Sequence, residues 1–297
     1  MIRGLAKVAG LGALAGAGLA AYAYHESKQY QLRNVGVPIL PPGSDPLLIL
    51  HVSDLHMTPN NHDRIEWIKG LGALQPDLVI ATGDFLSSHE GVEPVLDALG
   101  TLLEVPGLFV LGSNDYFSPK LGNPLSYLAK PSESTKEREI DLPWEGLVTG
   151  LGAKGWIDLS NRRAELTVAG HKIDARGVDD PHIGRDDYAA VAGPFDPDKL
   201  DIGVAHAPYL RVIDAMADDG ADLIVAGHTH GGQVCVPGVG ALTTNCDLDV
   251  KRAKGLHDHK GSQLHVSAGL GTNPYTPFRL ACPPEASLLV LMPRESE

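Results

Sequence analysis

Residues 48–56, LILHVSDLH, decide the fold class of this chain. The mostly aliphatic run from Leu48 to Val52 is typical of a strand that is buried on both faces. The run stops on Asp54 and His56. A strand that ends in this way places a carboxylate and an imidazole at the edge of a sheet, where open α/β sheets bind their ligands. Taken alone, the pair is also compatible with an ordinary turn or helix cap.

The same arrangement recurs in four later runs of the chain. Each aliphatic run ends in residues that carry nitrogen or oxygen donors: DLVIATGD on Asp84, LFVLGSND on Asn114 and Asp115, DIGVAH on His206, and DLIVAGHTH on His228 and His230. A purely structural protein has no reason to repeat Asp, Asn and His at every strand end. The recurrence therefore predicts that these side chains meet at one site.

Helical segments alternate with the predicted strands. Apolar residues with the spacing of one helix face occur within 62–75, 92–99 and 210–217. This alternation predicts an α/β fold with parallel strands joined by right-handed crossovers. Residues 156–178 are more antiparallel in character, with two strands joined at Gly170, and the tail runs QLHVSAG and ASLLVLM predict closing strands.

The chain divides into three expected segments. Residues 1–24 combine Arg3 and Lys7 with an uncharged Gly, Ala and Leu stretch, which is the layout of a signal anchor or a cleaved signal peptide; a buried N-terminal helix is the alternative. The upstream positive charges favour a membrane-anchored protein with an extracytoplasmic globular part, or secretion after cleavage. Residues 25–46 are expected to be a Pro- and Gly-rich linker, and residues 47–297 the globular domain. Within that domain, the proline- and charge-rich part from 118 to 142 predicts an irregular surface loop.

Composition sets outer limits on function. The chain has 297 residues, of which 43% are hydrophobic and 21% charged, as in ordinary globular proteins. A formal net charge of −13 excludes the clustered Lys and Arg footprint of a nucleic-acid-binding protein. The three cysteines have no CxxC spacing and are expected to fill buried positions rather than to bind zinc.

Asp, Asn and His are ligands for hard-to-borderline divalent metals. A carboxylate is the usual bridge between two such ions, and Asp84 is the candidate for that position. Two metals about 3.5–4 Å apart can clamp a phosphate and lower the pKa of a bound water. Five glycines next to the ligand candidates would let the backbone approach the site closely: Gly83, Gly112, Gly227, Gly231 and Gly232.

Taken in order, these motifs resemble the calcineurin-like metallophosphoesterase signature D-x-H, G-D, G-N-H-[DE], H and G-H-x-H. The resemblance covers residues 47–292 and implies a four-layer α/β/β/α sandwich, here preceded by the N-terminal apolar segment of a bacterial, membrane-associated type. It also implies two divalent metal ions (Mn, Fe or Zn). The implied first ligand group is Asp54, His56, Asp84 and His230, and the second ligand group is Asp84, Asn114, His206 and His228.

One motif departs from the signature. The family's Gly-Asn-His appears here as Gly112-Ser113-Asn114-Asp115. If Asn114 is the metal ligand, Ser113 is an insertion and Asp115 takes the place of the histidine that assists the leaving group. In an ungapped alignment, Ser113 replaces the ligand and Asn114 the histidine. We prefer Asn114 as the ligand, because an amide oxygen is a better metal donor than a hydroxyl, and we predict Asp84 and Asp115 as the catalytic residues.

Two further residues are candidates for contact with the substrate. His182 follows a turn-like Asp-Asp-Pro sequence near the centre of the domain, and Arg279 follows a glycine-rich stretch near Tyr275. Both also fit ordinary turn or surface positions. The remaining histidines of the C-terminal part, His257, His259 and His265, are expected to be surface or strand polar residues.

The leading functional hypothesis is a phosphoesterase that acts on a phosphate ester or pyrophosphate bond of a small-molecule, lipid or cell-envelope substrate. A different binuclear metallohydrolase is one alternative, but such proteins place His-x-His early in the chain. A non-catalytic or weakly active metal-binding envelope protein is the other, and the altered Gly-Ser-Asn-Asp motif supports it.

Overall fold

The computed structural model describes residues 14, 16–121 and 138–294, and two six-stranded sheets form its framework. The first sheet contains β1 (Gln31–Leu40), β2 (Leu47–Val52), β3 (Leu78–Ala81), β4 (Gly107–Phe109), β5 (Ile157–Asp158) and β14 (Glu285–Pro293). Its strand order is β1-β14-β2-β3-β4-β5. The neighbours from β2 to β5 are parallel, as the alternation of strands and helices predicts.

The second sheet contains β6 (Arg162–Val168), β7 (His171–Gly177), β8 (Leu200–Ala205), β9 (Leu223–Ala226), β12 (Gly255–His259) and β13 (Ser262–Val266). Its order is β12-β13-β9-β8-β7-β6, with a parallel centre from β7 to β13. The hairpin of β6 and β7 is antiparallel, so the prediction for residues 156–178 is confirmed. A separate two-stranded ribbon pairs β10 (Cys235–Val236) with β11 (Gly240–Ala241).

Six helices accompany the strands in the described part of the chain, three of them at predicted places. They are α1 (residues 16–26), α2 (His62–Gly70), α3 (Val92–Leu99), α4 (Ser113–Tyr116), α5 (Trp144–Gly152) and α6 (Leu210–Asp218). Short 3₁₀ turns extend or connect them, including Leu71–Leu74, Pro181–Ile183 and His230–Gly232. The three predicted amphipathic segments correspond to α2 with its 3₁₀ turn, α3 and α6.

The side chains of β2 show how the sheets pack. Leu50 and Val52 belong to a core that includes residues of α2, α3 and α5, whereas Leu47 and Ile49 point into a second core shared with the second sheet. Successive strand residues face opposite sides of a sheet, so one strand serves two cores. A third core packs α6 against the outer side of the second sheet. Nearly every residue of the central strands is therefore apolar and buried, and the polar residues collect where the strands end.

The N-terminal part differs from its expected organisation. The predicted linker 25–46 contains β1, a ten-residue edge strand that pairs in parallel with β14. Val37 and Ile39 of β1 are buried between the sheets, which makes this segment part of the domain rather than a tether. Pro38 is tolerated there because an edge strand needs no second ladder of hydrogen bonds.

Two other predicted segments fall partly outside the described residues. Of the predicted anchor 1–24, residues 1–13 and 15 are not described, and most of the predicted surface loop, 122–137, is likewise outside. Among the described residues, no helix has the length and apolar character to cross a bilayer. The three cysteines are free thiols; Cys235 and Cys282 are buried, as expected, and Cys246 is half-buried.

Candidate metal centre

The seven predicted metal ligands all follow central strands. Asp54 and His56 follow β2, Asp84 follows β3, and Asn114 lies in α4 just after β4. His206 directly follows β8, and His228 and His230 follow β9. Because neighbouring parallel strands end at the same edge of a sheet, the two sheets bring their polar ends together.

The first ligand group is compact, with three of its residues buried and His230 half-buried. One ligand atom from each of Asp54, His56, Asp84 and His230 lies within 4.8 Å of every other. His56 Nε2 is 3.2 Å from His230 Nε2 and 3.5 Å from Asp84 Oδ2, and His230 Nε2 is 3.5 Å from Asp54 Oδ1. Two carboxylates and two imidazoles at this separation form a donor set that suits a divalent cation.

The second ligand group lies on the other oxygen of Asp84. His206 Nε2 is 3.5 Å from Asp84 Oδ1, and the His206 and His228 rings are 5.2 Å apart at an edge-to-face angle. Asn114 donates its main-chain N–H to Oδ1 and its side-chain amide to Oδ2 of Asp84. The structure thus places Asn114, the preferred ligand, directly against Asp84.

Two buried polar atoms at this site lack hydrogen-bond partners, which supports metal binding. Asp54 Oδ1 and His206 Nε2 have no hydrogen-bond partner among the described residues, although Asp54 and His206 are fully buried. An uncompensated buried polar atom costs free energy. Ligation of a cation would remove that cost at both atoms, so the donor set fits divalent metal ions.

The unused ligand atoms are held by neighbours. His206 Nδ1 donates to the carbonyl of Thr82 at 2.6 Å, which leaves Nε2 as the lone-pair nitrogen. Asp54 Oδ2 accepts from the Ser53 hydroxyl at 2.6 Å and from the His228 N–H at 3.1 Å. Such contacts orient metal ligands and fix imidazole tautomers. The sequence does not single out Ser53 or Thr82; the only signal is that Ser53 directly precedes Asp54 and that Thr82 lies two residues before Asp84.

The backbone at the ligands is unusual. Five of the seven predicted ligands have a positive φ: Asp54 (53°), His56 (43°), Asp84 (53°), His228 (67°) and His230 (50°). Non-glycine residues rarely adopt this left-handed conformation, and its cost is tolerated mostly at functional sites. The shared conformation turns the ligand side chains at the strand ends toward a common centre.

Glycines permit the close approach that the sequence predicts. A side chain at Gly112 would collide with Asp84 Oδ1 and would reach within 2.7 Å of the His206 ring. A side chain at Gly227 would overlap the Ser53 hydroxyl and lie 2.7 Å from Asp54 Oδ2. At these two positions glycine is required by space.

Burial and nearby charges set the protonation states of the ligands. Burial lowers the pKa of His56 to about 4 and holds the pKa of His228 and His230 well below 6.5, so these rings are neutral at pH 7. Burial opposes ionisation of Asp84, but His206, His56 and the Asn114 hydrogen bonds outweigh it and lower its pKa. For His206, burial is outweighed by the nearby Asp84, Asp180 and Asp54 carboxylates, which raise its pKa to about 9. A bound cation would replace that proton.

Asp115 has a different place from the predicted one. It is fully buried, and its two oxygens accept the backbone N–H groups of Asp84, Phe85, Leu86 and Gly112 at 2.7–3.0 Å. All four directions of the carboxylate are occupied by donors, so it has no free position for a proton to pass to a substrate. We therefore correct the catalytic assignment: Asp115 ties the loop after β3 to the loop after β4.

Arg279 also has a different place from the one predicted for a substrate contact. Its side chain is fully buried, and its Nη2 donates to the carbonyls of Ala268 at 2.7 Å and Gly271 at 2.8 Å. The same nitrogen lies 3.2 Å from His230 Nδ1. Arg279 thus supports the loop beneath His230, which corrects its assignment as a substrate contact.

His182, by contrast, is brought to the centre. Its ring is 4.5 Å from the His228 ring, and its Nδ1 is 3.0 Å from the Tyr209 hydroxyl. Asp180 caps the 3₁₀ turn that carries it by accepting the His182 N–H at 2.8 Å. A substrate contact by His182 remains a prediction that this position favours.

The three C-terminal histidines have different environments. His257 is half-buried and lies 2.9 Å from the Lys254 carbonyl, whereas His259 is buried and faces Asp214 at 2.9 Å. His265 lies on β13 as a strand residue, but it is 1% exposed and contacts His51. All three lie on strands, β12 or β13, so the expectation of surface or strand polar residues is confirmed, and the structure adds that His259 and His265 are buried.

Comparison with known proteins gives a consistent result. The profile of the calcineurin-like phosphoesterase family matches residues 47–232. The Bacillus subtilis (strain 168) protein YpbG is 28% identical over 282 residues, which cover 94% of this chain and 98% of YpbG. The metallophosphoesterase YkoQ of the same organism is 29% identical over 240 residues, covering 77% and 78% of the two chains. The phosphodiesterase YaeI of Escherichia coli (strain K12) is 34% identical over 89 residues, covering 30% and 31%.

Proposed function

The chain belongs to the calcineurin-like phosphoesterase family, and we propose that it hydrolyses a phosphate ester or pyrophosphate bond with a water activated by two divalent metal ions. The observation that carries the proposal is the position of Asp84. Its Oδ2 lies 3.5 Å from His56 Nε2 in the first ligand group, and its Oδ1 lies 3.5 Å from His206 Nε2 in the second. A carboxylate between two ligand groups is suited to bridge two cations.

The atoms without hydrogen-bond partners support two ions rather than one. Asp54 Oδ1 belongs to the first ligand group and His206 Nε2 to the second, and each is buried without a hydrogen-bond partner among the described residues. One cation beside His56 and His230 would leave His206 Nε2 unaccounted for. When bound, two such ions lower the pKa of a water and neutralise the charge of a phosphate.

In the related family a histidine assists the leaving group, and this chain lacks that histidine. Asp115 accepts four backbone N–H groups and is not available to protonate a leaving group. His182 lies beside His228 and is the proposed contact for a phosphate oxygen or for the leaving group. We therefore expect the highest turnover on esters whose leaving group needs no protonation.

A cavity beside the first ligand group suggests where the rest of the substrate binds. It has a volume of about 410 Å³, and His56 forms part of its wall. Tyr24, Lys28, Asn61, Asp63 and Thr272 also line it, so the wall mixes aromatic, cationic, anionic and neutral polar groups. This size and lining suit an organic leaving group rather than free phosphate. The N-terminal segment forms one wall, which ties substrate binding to residues that precede the match to the family profile.

Apolar residues near this cavity support an amphiphilic substrate. Leu19 and Tyr22 of α1 are 54% and 56% exposed, and Tyr275 and Phe278 are 53% and 38% exposed. We propose that these side chains contact a membrane surface or a lipid chain while the phosphate reaches the metal ligands. The substrate would then be a phosphorylated lipid or cell-envelope precursor, and the protein a membrane-associated bacterial enzyme with an extracytoplasmic domain.

The fold proposal follows the same family. The four-layer α/β/β/α order is supported by one apolar core between the sheets and by further cores that pack α2, α3, α5 and α6 on their outer sides.

The test uses full-length protein in detergent, freed of metal and reloaded with Mn²⁺, Fe²⁺ or Zn²⁺. The probes are p-nitrophenyl phosphate, bis-p-nitrophenyl phosphate, a lysophospholipid and a nucleotide-linked lipid. We expect two metals per chain, hydrolysis of an activated ester, and a preference for a lipid probe over its water-soluble headgroup. Two bound metals with no turnover of any probe would favour the non-catalytic alternative, and a single bound metal would contradict the bridging position of Asp84.

A further inference from the structure

Two buried histidines meet between the sheets. His51 of β2 and His265 of β13 are 0% and 1% exposed, and their Nδ1 atoms are 3.0 Å apart. His51 has the same strand parity as Leu47 and Ile49, which face the core between the sheets. The two rings thus connect the sheets across an otherwise apolar space.

A continuous chain of hydrogen bonds runs from this pair to the metal centre. His51 Nε2 is 2.9 Å from the Thr82 hydroxyl, and Thr82 donates to the Ser53 hydroxyl at 2.7 Å. Ser53 in turn donates to Asp54 Oδ2 at 2.6 Å. Every member of the chain is at least 99% buried.

The Asp54 carboxylate, at the end of this hydrogen-bond chain, sets the direction of the bonds from His51 onward. The Asp54 carboxylate is an acceptor, so Ser53 must use its single proton on it, and Ser53 then accepts from Thr82. Thr82 has no second proton, so His51 Nε2 must donate to it. Burial lowers the pKa of both histidines, so each ring is neutral and carries one proton. With its proton on Nε2, His51 accepts at Nδ1, and His265 Nδ1 carries the proton that it accepts.

Burying this hydrogen-bond chain costs free energy, and close packing of the core does not require it. Four polar side chains occupy positions where aliphatic residues would pack without any need for hydrogen bonds. A one-directional chain polarises its members and strengthens the last bond, which is the one to Asp54. That bond and the His228 N–H hold Asp54 Oδ2, and Oδ1 is left for the metal.

Thr82 also reaches the second ligand group. Its main-chain carbonyl accepts the proton of His206 Nδ1 at 2.6 Å, while its hydroxyl lies in the chain to Asp54. One residue thus fixes a ligand in each group.

We propose that His265, His51, Thr82 and Ser53 are positioning residues, whose one-directional hydrogen-bond chain aims Asp54 Oδ1 at the first metal and, through Thr82, couples it to His206. The proposal rests on the proposed function only in naming the metal centre as its target. Its tests read tautomers and metal affinity directly.

The first test is NMR of full-length protein labelled with ¹⁵N-histidine, with and without Mg²⁺ or Zn²⁺, both diamagnetic. We expect His51 protonated only on Nε2 and His265 protonated on Nδ1, in both samples. His51→Gln and His265→Gln assign the two signals. Protonation of His51 on Nδ1, or a charged ring at pH 7, would overturn the proposal.

The second test measures Mn²⁺ affinity by competition with a chelator dye. Ser53→Ala and Thr82→Val should weaken binding by about 10–100-fold, the usual effect of losing a contact behind a ligand. Thr82→Ser, which keeps the hydroxyl, should restore most of the affinity.

Ser287→Ala is the matched control. Ser287 is fully buried, pairs in register with His51, and has a hydroxyl without a hydrogen-bond partner among the described residues. This variant should bind Mn²⁺ like the wild type. Equal affinity in Ser53→Ala, Thr82→Val and Ser287→Ala would overturn the proposal. Wild-type protein that binds metal but hydrolyses nothing would instead contradict the proposed function and leave these measurements valid.

Discussion

Asn114 donates hydrogen bonds to both carboxylate oxygens of Asp84. Its main-chain N–H lies 2.8 Å from Oδ1, and its side-chain amide nitrogen lies 2.7 Å from Oδ2. The histidines of the two ligand groups approach the same oxygens at 3.5 Å. The carboxylate is 3% exposed, so its orientation depends on these few contacts. This relationship makes Asp84 and Asn114 the most informative residues to change.

Asp84→Asn should abolish measurable phosphoesterase activity and lower metal content. A neutral amide supplies one oxygen where a bridge needs two, and it removes the negative charge beside His56 and His206. We expect a loss of turnover greater than about 100-fold, beyond what loss of a contact behind a ligand causes. Metal analysis and steady-state kinetics on the same sample check this. Two metals per chain together with normal turnover would contradict the bridging role.

Asn114→Ala and Ser113→Ala distinguish the two alignments of the Gly-Ser-Asn-Asp motif. Asn114→Ala removes the amide that contacts Asp84 Oδ2, and it should reduce the metal content from two ions to one. Ser113→Ala should leave both ions in place. Calorimetric titration with Mn²⁺ counts the sites in each variant. The reverse result would mean that the ungapped alignment is right and that Ser113 is the ligand.

Asp115→Ala should destabilise the fold, because it leaves four backbone N–H groups without their acceptor. We expect the free energy of unfolding to fall by about 3 kcal/mol or more, since each buried donor that loses its partner costs about 1–3 kcal/mol. Chemical denaturation of the metal-free protein measures it. Asp249→Ala is the control: Asp249 is exposed and accepts the N–H of Lys251, and its loss should cost about 1 kcal/mol. Equal effects would show that Asp115 has no special structural role.

The stability contributed by His265 should depend on pH. Burial, with a smaller effect from His257, lowers the pKa of His265 to about 3, whereas its unfolded value is about 6.5. Between these values the unfolded chain binds a proton that the folded protein does not, so this contribution falls as the pH drops below 6.5. The difference in unfolding free energy between wild type and His265→Gln should shrink by about 2 kcal/mol from pH 6.5 to pH 5. Denaturant titrations of both metal-free proteins at the two pH values measure it, and a constant difference would contradict a neutral buried His265.

Full-length protein should sediment with membranes and resist a high-salt wash. Salt releases proteins held by charge but not those held by apolar contact. Replacing the exposed Leu19 and Tyr22 of α1 with Glu should weaken this association. Fractionation followed by immunodetection checks both. Wild-type protein in the soluble fraction would contradict membrane association and shift the proposed substrate toward a soluble nucleotide or phosphoprotein.

The amino-acid sequence alone is enough to predict the strand ends and the residues that gather there. Apolar pattern and run length are local properties, so the run before Asp54 and the run before His228 are recognisable without any partner. The motif order also identified the family and placed Asp54, His56, Asp84 and His230 together, as the structure has them. The edge strand β1 is not predicted, because Gly36 and Pro38 are residues typical of a linker. The segment forms a strand only by pairing with β14.

The roles of the remaining polar residues depend on contacts that form only in the folded protein. Asp115 is adjacent to a ligand in sequence, yet four backbone donors from two loops make it a structural carboxylate. Arg279 is a cation near the site, yet carbonyl groups enclose it beneath His230. His51 and His265 are separated by 214 positions and acquire a shared role only when the two sheets face each other. The function of a buried polar group is set by its hydrogen-bond partners, and these partners come from distant parts of the chain that local pattern does not connect.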